Sequence, residues 1–273
     1  MNITKRIKCK LCNSLTITYE WSDFTLLQCK NCLLVSDHKI YDTKELNTLY
    51  DVLYHHSDNY DNYNREYEQL LNEIQPKLGW NRKKALQISQ LKDHNKVIEF
   101  GAGVGVFGKY LLNRQVDYLG VEFDRSIVDK TETILGNSIV QGDIQNFLNN
   151  QKYDILFAFE VIEHISNLKK AFQNISKLLY PNGIFCFSVP NILRSNNNNN
   201  KISQDKPPIH LNYFSKSSII KILGNYNFNN IKVFERPYPM LSSPMKHWIK
   251  LFFGSYNGMS LVVKATRTNY RIT

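Results

Sequence analysis

The amino-acid sequence predicts an α/β protein with a doubly wound, mostly parallel seven-stranded sheet and a small cysteine-rich module at its N-terminus. Two observations predict this architecture. Short apolar runs rich in β-branched and aromatic residues alternate with helix-length segments, as parallel strands alternate with crossover helices. Two Cys-x-x-C pairs precede those runs. At 273 residues and 42% apolar composition, the chain can form one large domain with a small appendage.

The first element is the cysteine-rich module, predicted over residues 1–40. Its two Cys-x-x-C pairs are separated by sixteen residues, a spacing typical of a zinc ribbon in which four thiolates hold one structural zinc ion. The four cysteines are Cys9, Cys12, Cys29 and Cys32. Two disulfides or two redox pairs would fit a reducing compartment poorly. About forty residues make too small a core, so the metal is expected to supply most of the folding energy of this module.

The next segment, residues 41–94, is predicted to be a helical linker or lid, because Leu and Tyr recur in it at three- and four-residue intervals. Residues 95–273 are predicted to form the main domain. Its seven strand-like runs are KVIEF (96–100), YLGVE (118–122), SIVQGD (138–143), YDILFAF (153–159), GIFCFSVP (183–190), IKVFERP (231–237) and GMSLVVKA (258–265).

The residues that follow these runs indicate a ligand site, because open α/β sheets bind ligands at the carboxyl ends of their strands. Gly101, Gly103 and Gly105 alternate after the first run, so the backbone there can approach a ligand closely. A dinucleotide fingerprint would need a third glycine where the chain has Val106. Acidic residues end successive strands instead, and they are Glu99, Glu122 and Asp143. Such acids suit a ligand with a ribose diol, an adenine amine and a cationic side chain, although each acid alone could equally be a helix cap or a solvated loop residue.

In these motifs the sequence resembles the class I S-adenosylmethionine-dependent methyltransferases, in the branch that includes many small O-methyltransferases. VIEFGAGVG resembles the first motif of that family, YLGVEFD the second, VQGDI the adenine-side motif, and YDILFAFEVIEHI with LYPNGIFCFSVPN the fourth strand and the strand after it. The resemblance spans residues 60–265 and implies a Rossmann-like fold that binds S-adenosyl-L-methionine. The implied cofactor-binding residues are Glu99, Gly101, Gly103, Gly105, Glu122, Phe123, Asp143, Ile144 and Glu160. Glu replaces the commoner Asp at two of these positions, 99 and 122.

The resemblance places the stretch AFEVIEHISN (158–167) over the transferable methyl group, at a pocket mouth where charge would be hydrated or paired with a substrate. Three roles are open for its polar residues. His164 can act as general base for the methyl acceptor. Alternatively, Glu160, Glu163 and His164 join His210 of PPIHLNYFS in a Mg²⁺ or Mn²⁺ site, as in ubiquinone-pathway O-methyltransferases and small-RNA 2'-O-methyltransferases, which this E-x-x-E-H pattern resembles. The third role is purely structural hydrogen bonding.

The charge distribution predicts an anionic partner. The net charge is +10, and the segment from Lys201 onward contains eleven Lys or Arg but only two Asp or Glu. Such a field favours an anionic acceptor, nucleic acid or an anionic membrane surface, or it only keeps the chain soluble. Residues 242–255 have the pattern of a basic amphipathic helix, which would touch a membrane surface or pack in a core or dimer.

The compartment expected for the chain is the cytoplasm. No apolar stretch reaches the ~20 residues of a membrane span, and MNITKRIKCK lacks the apolar core of a signal peptide.

The expected acceptor is a hydroxyl-bearing sugar or nucleotide-linked sugar. A zinc ribbon joined to this kind of methyltransferase resembles enzymes of surface-polysaccharide and deoxysugar biosynthesis. Two alternatives remain open. One is an RNA 2'-O-methyltransferase with the Glu/His metal site, and the other is a zinc-ribbon nucleic-acid-binding or scaffold protein whose sheet is catalytically idle.

Overall fold

The structure is a computed structural model. It describes residues 7–21, 24–37, 39, 58–194, 206–237 and 258–268. The predicted amphipathic helix at 242–255 lies outside the described residues, and so does the part of the predicted linker at 41–57.

The described residues form eleven strands in two sheets. The strands are β1 (Thr16–Trp21), β2 (Phe24–Cys29), β3 (Val35–Ser36), β4 (Lys96–Phe100), β5 (Asp117–Glu122), β6 (Ile139–Gln141), β7 (Tyr153–Phe159), β8 (Leu179–Pro190), β9 (Asn212–Tyr213), β10 (Phe228–Glu235) and β11 (Ser260–Arg267). The helices are α1 (Asp58–Leu71), α2 (Trp80–Ser89), α3 (Val106–Leu112), α4 (Arg125–Leu135), α5 (Leu168–Leu178) and α6 (Lys216–Gly224). Two short 3₁₀ turns lie at Gly136–Ser138 and Ile162–His164.

The large sheet has seven strands in the order β10-β11-β8-β7-β4-β5-β6. Strands β4 to β8 run parallel, and β11 runs antiparallel to both β8 and β10. This order confirms the predicted mostly parallel, doubly wound sheet. Because β5 and β7 lie on opposite sides of β4, the chain direction across the sheet reverses there. The carboxyl ends of β4 and β7 therefore flank the crevice in which such folds bind ligands.

The apolar runs form these strands because the central strands are covered on both faces. All residues of β7 except Asp154 are buried, as expected of a strand between two helical layers. Three of the connecting helices, α4, α5 and α6, begin at side-chain caps, which are Asp124, Asn167 and Ser215. These caps fix where the loops after β5, β7 and β9 end.

The cysteine-rich module forms the second sheet, which is antiparallel and has the order β1-β2-β3-β9. Its fourth strand, β9, comes from the distant C-terminal third of the chain, and it pairs Tyr213 with Val35 and Asn212 with Ser36. Leu34 of this module is 1% exposed and lies in the same apolar cluster as Phe172 of α5. The module therefore shares its core with the large sheet.

This shared core predicts that the two parts unfold together. Leu34→Ala should lower the free energy of unfolding of the whole chain by about 2–5 kcal/mol, because it leaves a cavity in the apolar cluster that the module shares with the large sheet. Urea denaturation followed by circular dichroism should show one transition. The matched control is Leu148→Ala, because Leu148 is 91% exposed and its removal should leave the midpoint unchanged. A separate early transition, with the main one unmoved, would mean that the module unfolds by itself.

Candidate active site

The turn after β4, residues 101–105, can be built only with glycine at key positions. Gly101 and Gly105 have φ angles of +73° and +83°. A Cβ on Gly101 would lie 2.4 Å from Val161 Cγ2, and one on Gly105 would lie 2.9 Å from Thr131 Cγ2. The first contact places this glycine turn directly against the loop that follows β7.

Glu122 at the end of β5 holds the glycine turn. Its Oε2 accepts a hydrogen bond from Gly103 N at 2.9 Å, and its Oε1 accepts one from Phe123 N at 2.7 Å. Burial raises the pKa of this carboxyl. Phe123, the next residue along the chain, is 47% exposed. The structure thus brings the predicted ribose residue, the glycine turn and an open aromatic face together.

Glu99 is fully buried, one residue before the end of β4. Tyr118 Oη donates a 2.6 Å hydrogen bond to Glu99 Oε2, while Oε1 has no hydrogen-bond partner among the described residues. Burial raises the Glu99 pKa to about 7, although the charge of Arg82 on α2 opposes the rise. Arg82 was not predicted from the sequence. Its guanidinium carbon lies 5.8 Å from the Phe159 ring centre, and its Nε is likewise buried without a hydrogen-bond partner in the described part of the chain.

Asp143 and Ile144 follow β6. The Asp143 carboxylate accepts hydrogen bonds from Gln145 N at 3.0 Å and Asn146 Nδ2 at 2.8 Å, so it closes the turn after the strand. Ile144 is 3% exposed and belongs to the main apolar cluster. Their predicted contact with adenine stays a prediction.

The loop after β7, residues 160–167 (the β7 loop), begins with a strained residue. Glu160 has a φ of +55°, which is rare for a residue with a side chain. Ser188 Oγ and Asn81 Nδ2 donate hydrogen bonds to Glu160 Oε1 at 2.6 and 2.9 Å, and Glu160 N donates to Ser188 O at 3.0 Å. Neighbouring β8 and the residues of α2 therefore hold this conformation.

Charge in this loop was expected to be hydrated or paired with a substrate, and the burial of Glu163 rules out hydration while pairing with a substrate stays a prediction. Glu163 is 1% exposed, and neither carboxylate oxygen has a hydrogen-bond partner among the described residues. Burial, and then the charge of Glu160, raise the Glu163 pKa well above its usual value. The physical reason is that the segment around Leu211 covers the loop, with Leu211 N donating to Glu163 O at 2.9 Å.

His164 and His210 lie together, with ring centroids 4.7 Å apart in an edge-to-face arrangement. Burial lowers the pKa of His164 to about 4. Burial, followed by the charges of His164 and Arg194, lowers the pKa of His210 to about 2. Both imidazoles are therefore neutral at pH 7. His164 Nδ1 lies 2.8 Å from Ile209 O, and since a carbonyl oxygen only accepts, Nδ1 carries the proton and Nε2 the lone pair.

The structure gathers most of the predicted Glu/His metal set. Glu163, His164 and His210 each offer one ligand atom, and these atoms all lie within 4.8 Å of one another. Glu160 is not part of that group among the described residues. Its carboxylate is instead engaged with Ser188 and Asn81.

The four predicted zinc ligands also lie together within 4.8 Å, and none of them forms a disulfide. The Sγ atoms of Cys9 and Cys32 are 3.7 Å apart, and those of Cys12 and Cys29 are 3.4 Å apart. Sulfurs at the corners of a tetrahedron around zinc, with bonds of about 2.3 Å, would be about 3.8 Å apart. The donor set and its size therefore fit zinc.

The two cysteine pairs have the same local conformation. In each, the first cysteine Sγ accepts a hydrogen bond of 3.4 Å from the backbone N–H two residues later, that of Leu11 or Asn31. In each, the residue after the second cysteine has a positive φ, 58° at Asn13 and 62° at Leu33. Backbone N–H groups aimed at sulfur favour the thiolate form that binds metal.

Sequence reasoning missed Asn212, which is 1% exposed. Its Nδ2 lies 2.7 Å from Ile165 O, 3.3 Å from Glu163 O and 3.4 Å from Ile162 O. It therefore reaches three backbone carbonyls of the β7 loop. No sequence pattern marked it, since it stands in a two-residue strand.

A family model described as a methyltransferase domain matches residues 63–233. The malonyl-(acyl-carrier protein) O-methyltransferase 2 of Ilyobacter polytropus is 26% identical over 129 residues, which are 45% of this chain and 48% of that protein. The ubiquinone biosynthesis O-methyltransferase of Rickettsia bellii is 25% identical over 115 residues, which are 38% of this chain and 48% of that protein. The chain thus spans about half the length of these curated relatives.

A solved structure agrees with the topology. A SAM-dependent methyltransferase from Thermotoga maritima superposes with a TM-score of 0.56 at 14% identity, over 81% of this chain and 99% of that one. Separately, none of the helices in the described residues is long and apolar enough to cross a membrane. Because the family model matches more than half of the sequence, and the strand order is that of the same fold, the chain belongs to the methyltransferase-domain family and has the fold of S-adenosylmethionine-dependent methyltransferases.

Proposed function

We propose that the chain transfers a methyl group from S-adenosyl-L-methionine to a hydroxyl-bearing acceptor. The observation that carries this proposal is that the glycine turn, Glu122 and the β7 loop with its histidine lie side by side at the carboxyl ends of β4, β5 and β7. When bound, the cofactor supplies an electrophilic methyl group on a sulfonium. The chain itself has to bind the cofactor, orient the acceptor and accept one proton.

The residues around the glycine turn fit the cofactor. The turn follows β4 closely packed against Val161, and among the described residues the buried Glu99 Oε1 and Arg82 Nε have no hydrogen-bond partner. Glu122 would accept hydrogen bonds from the ribose hydroxyls, and the exposed Phe123 ring offers a face for adenine. Asp143 and Ile144 would border the adenine, as the family resemblance implies.

His164 is proposed as the general base. Its Nδ1 proton is held by Ile209 O, so Nε2 can take the acceptor proton while the new oxygen–carbon bond forms and the sulfur–carbon bond breaks. A pKa of about 4 makes it a weak base, although one that is unprotonated at pH 7. Most of the acceleration would then come from holding the reactants in line.

A second candidate mechanism is supported by the Glu163, His164 and His210 cluster. A divalent cation there would stabilise the buried Glu163 carboxylate and could orient vicinal hydroxyls of the acceptor, as an RNA 2'-O-methyltransferase requires. The cluster supplies nitrogen and oxygen donors, which suit Mn²⁺ or Mg²⁺ with water completing the shell.

The sugar acceptor remains a prediction that rests on the resemblance of the zinc ribbon to enzymes of polysaccharide biosynthesis. The two curated relatives are named for a malonyl-(acyl-carrier protein) and for ubiquinone biosynthesis, and neither name contains a sugar. The basic C-terminal third supports an anionic acceptor, whichever class it belongs to.

The proposed cofactor site is tested by a binding measurement. Calorimetry should detect S-adenosyl-L-methionine binding, and Glu122→Gln should weaken it roughly 10- to 100-fold, because a charged hydrogen-bond acceptor is lost. Glu132→Gln is the control, since Glu132 is an exposed glutamate on α4. Circular dichroism should show that both variants are folded. A parental chain that binds no cofactor would exclude the enzyme and leave the non-catalytic scaffold.

The acceptor-side prediction begins with transfer of a labelled methyl group to nucleotide sugars, polysaccharide extracts or short RNAs. On the acceptor found, His164→Ala should lower kcat by ~10²- to 10⁴-fold and leave cofactor affinity near parental. Because burial lowers the His164 pKa to about 4, kcat at saturating cofactor should be level between pH 6 and 8 and fall as the pH drops toward 4. His94→Ala is the control, because His94 is exposed in the α2–β4 connection.

The same assay separates base from metal. Activity abolished by a chelator and restored by Mg²⁺ or Mn²⁺, with His210→Ala as damaging as His164→Ala, would establish the metal mechanism. Parental turnover in His164→Ala would exclude both. Transfer to RNA alone would replace the sugar acceptor.

The four-cysteine cluster predicts a structural zinc ion. Metal analysis should find about one zinc per chain, and Cys12→Ser should lose it because three thiolates hold the ion far more weakly than four. Cys186→Ala should keep it, since Cys186 lies in β8 outside the cluster. Zinc that survives Cys12→Ser and is lost in His164→Ala would move the metal to the histidine cluster.

A further inference from the structure

Residues 206–215, here called the strap, lie between the four-cysteine module and the β7 loop. On the module side, β9 of the strap pairs with β3. Leu211 O accepts hydrogen bonds from Asp37 N at 3.1 Å and from Lys10 Nζ at 3.3 Å. Lys10 directly follows Cys9 and lies between the two cysteines of the first Cys-x-x-C pair. This hydrogen bond therefore connects the strap to the first cysteine pair itself.

On the other side, the strap holds the β7 loop at three places. Leu211 N donates to Glu163 O at 2.9 Å, and His164 Nδ1 donates to Ile209 O at 2.8 Å. The third place is the side chain of Asn212, which reaches the carbonyl oxygens of Ile162, Glu163 and Ile165. The same strap residues therefore bond to both neighbours.

Asn212 is where the two sets of contacts cross. Its backbone pairs with Ser36 in the module sheet, while its side chain enters the β7 loop. Three carbonyl oxygens can only accept, so the amide nitrogen must face them. One amide hydrogen makes a short bond to Ile165 O at 2.7 Å. The other hydrogen is shared between two longer bonds, to the carbonyl oxygens of Glu163 and Ile162. These carbonyls belong to the 3₁₀ turn that carries His164 and to the residue after it.

We propose that Asn212 is a positioning residue through which the metal-loaded four-cysteine module sets the conformation of the β7 loop. The module orders β3, β3 aligns β9, and β9 aims the Asn212 amide at the loop carbonyls. The proposal rests on the proposed function only in that the loop presents His164 to the acceptor. The physical coupling itself requires no catalysis.

Amide hydrogen exchange on the zinc-loaded full chain tests the coupling without an acceptor. Asn212→Ala should speed exchange of the His164, Ile165 and Leu211 amides roughly tenfold or more, because Ile165 O loses its short hydrogen bond to the amide and the turn opens more often. Amides of β4 and β5 should keep parental rates. Zinc content and S-adenosyl-L-methionine affinity should also stay parental.

Asn174→Ala is the matched control. The side-chain amide of Asn174 also donates hydrogen bonds to two backbone carbonyls, Ile144 O at 3.0 Å and Phe147 O at 2.9 Å. These carbonyls belong to a different loop, the one after β6. Asn174→Ala should leave the His164, Ile165 and Leu211 amides at parental rates. Equal acceleration of those amides in both variants would show a general loosening and overturn the proposal.

Metal removal is the second arm. Chelation of the cysteine-bound zinc should speed exchange of the same three amides, and added Zn²⁺ should restore their protection. If β4 and β5 also lose protection, Asn212→Ala in the zinc-loaded chain decides the question. Parental exchange of His164 and Ile165 in that variant would overturn the proposal, even if cofactor binding is normal.

With an acceptor in hand, Asn212→Ala should lower kcat and leave the KM for the cofactor unchanged, as expected of a residue that positions only the acceptor side. A chain that binds no cofactor at all, yet shows the predicted exchange, would refute the proposed function and retain the coupling.

Discussion

The parallel pairing of β4 with β7 is the constraint on which the candidate site depends. Phe100 lies opposite Ala158 near the ends of these strands, so the glycine turn and the β7 loop start side by side. Gly101 is so close to Val161 that there is no room for a Cβ between them. The elements proposed to hold the cofactor and the acceptor therefore meet because of sheet topology, and no attraction between their side chains is needed. For the proposed methyl transfer, which would gain most from alignment, this adjacency would be the main contribution of the fold.

Burial dominates the electrostatics of the crevice. It raises the pKa values of Glu99 and Glu163 and lowers those of His164 and His210, so all four tend to their neutral forms. Neutral groups cost less to bury than charged ones, which explains how so many ionisable side chains share one region. The balance is sensitive to a ligand, because a cation placed beside Glu163 would favour its carboxylate form.

Features encoded in short stretches of sequence could be predicted, and features that depend on distant pairing could not. The runs at Lys96–Phe100 and Tyr153–Phe159 match their strands residue for residue, since burial on both faces requires continuous apolar sequence. The strap is different, because β3 and β9 have two residues each and show no periodicity. The burial of Glu163 is caused by the strap, so it could not be predicted from the sequence either. Asn81 and Arg82 belong to a polar helix stretch whose pattern says nothing about their partners.

The contact between Lys10 and Leu211 joins residues 201 positions apart. At typical synthesis rates, roughly 10 to 40 s separate the appearance of these two residues on a ribosome. For most of that interval both cysteine pairs are already translated, while β9, the strand that completes their sheet, has not been made. The last strand of the N-terminal sheet thus arrives after most of the central sheet, so the module that is made first is finished late. Such long-range closure is slow in folding, and it leaves the edge of β3 open to other chains until the strap arrives.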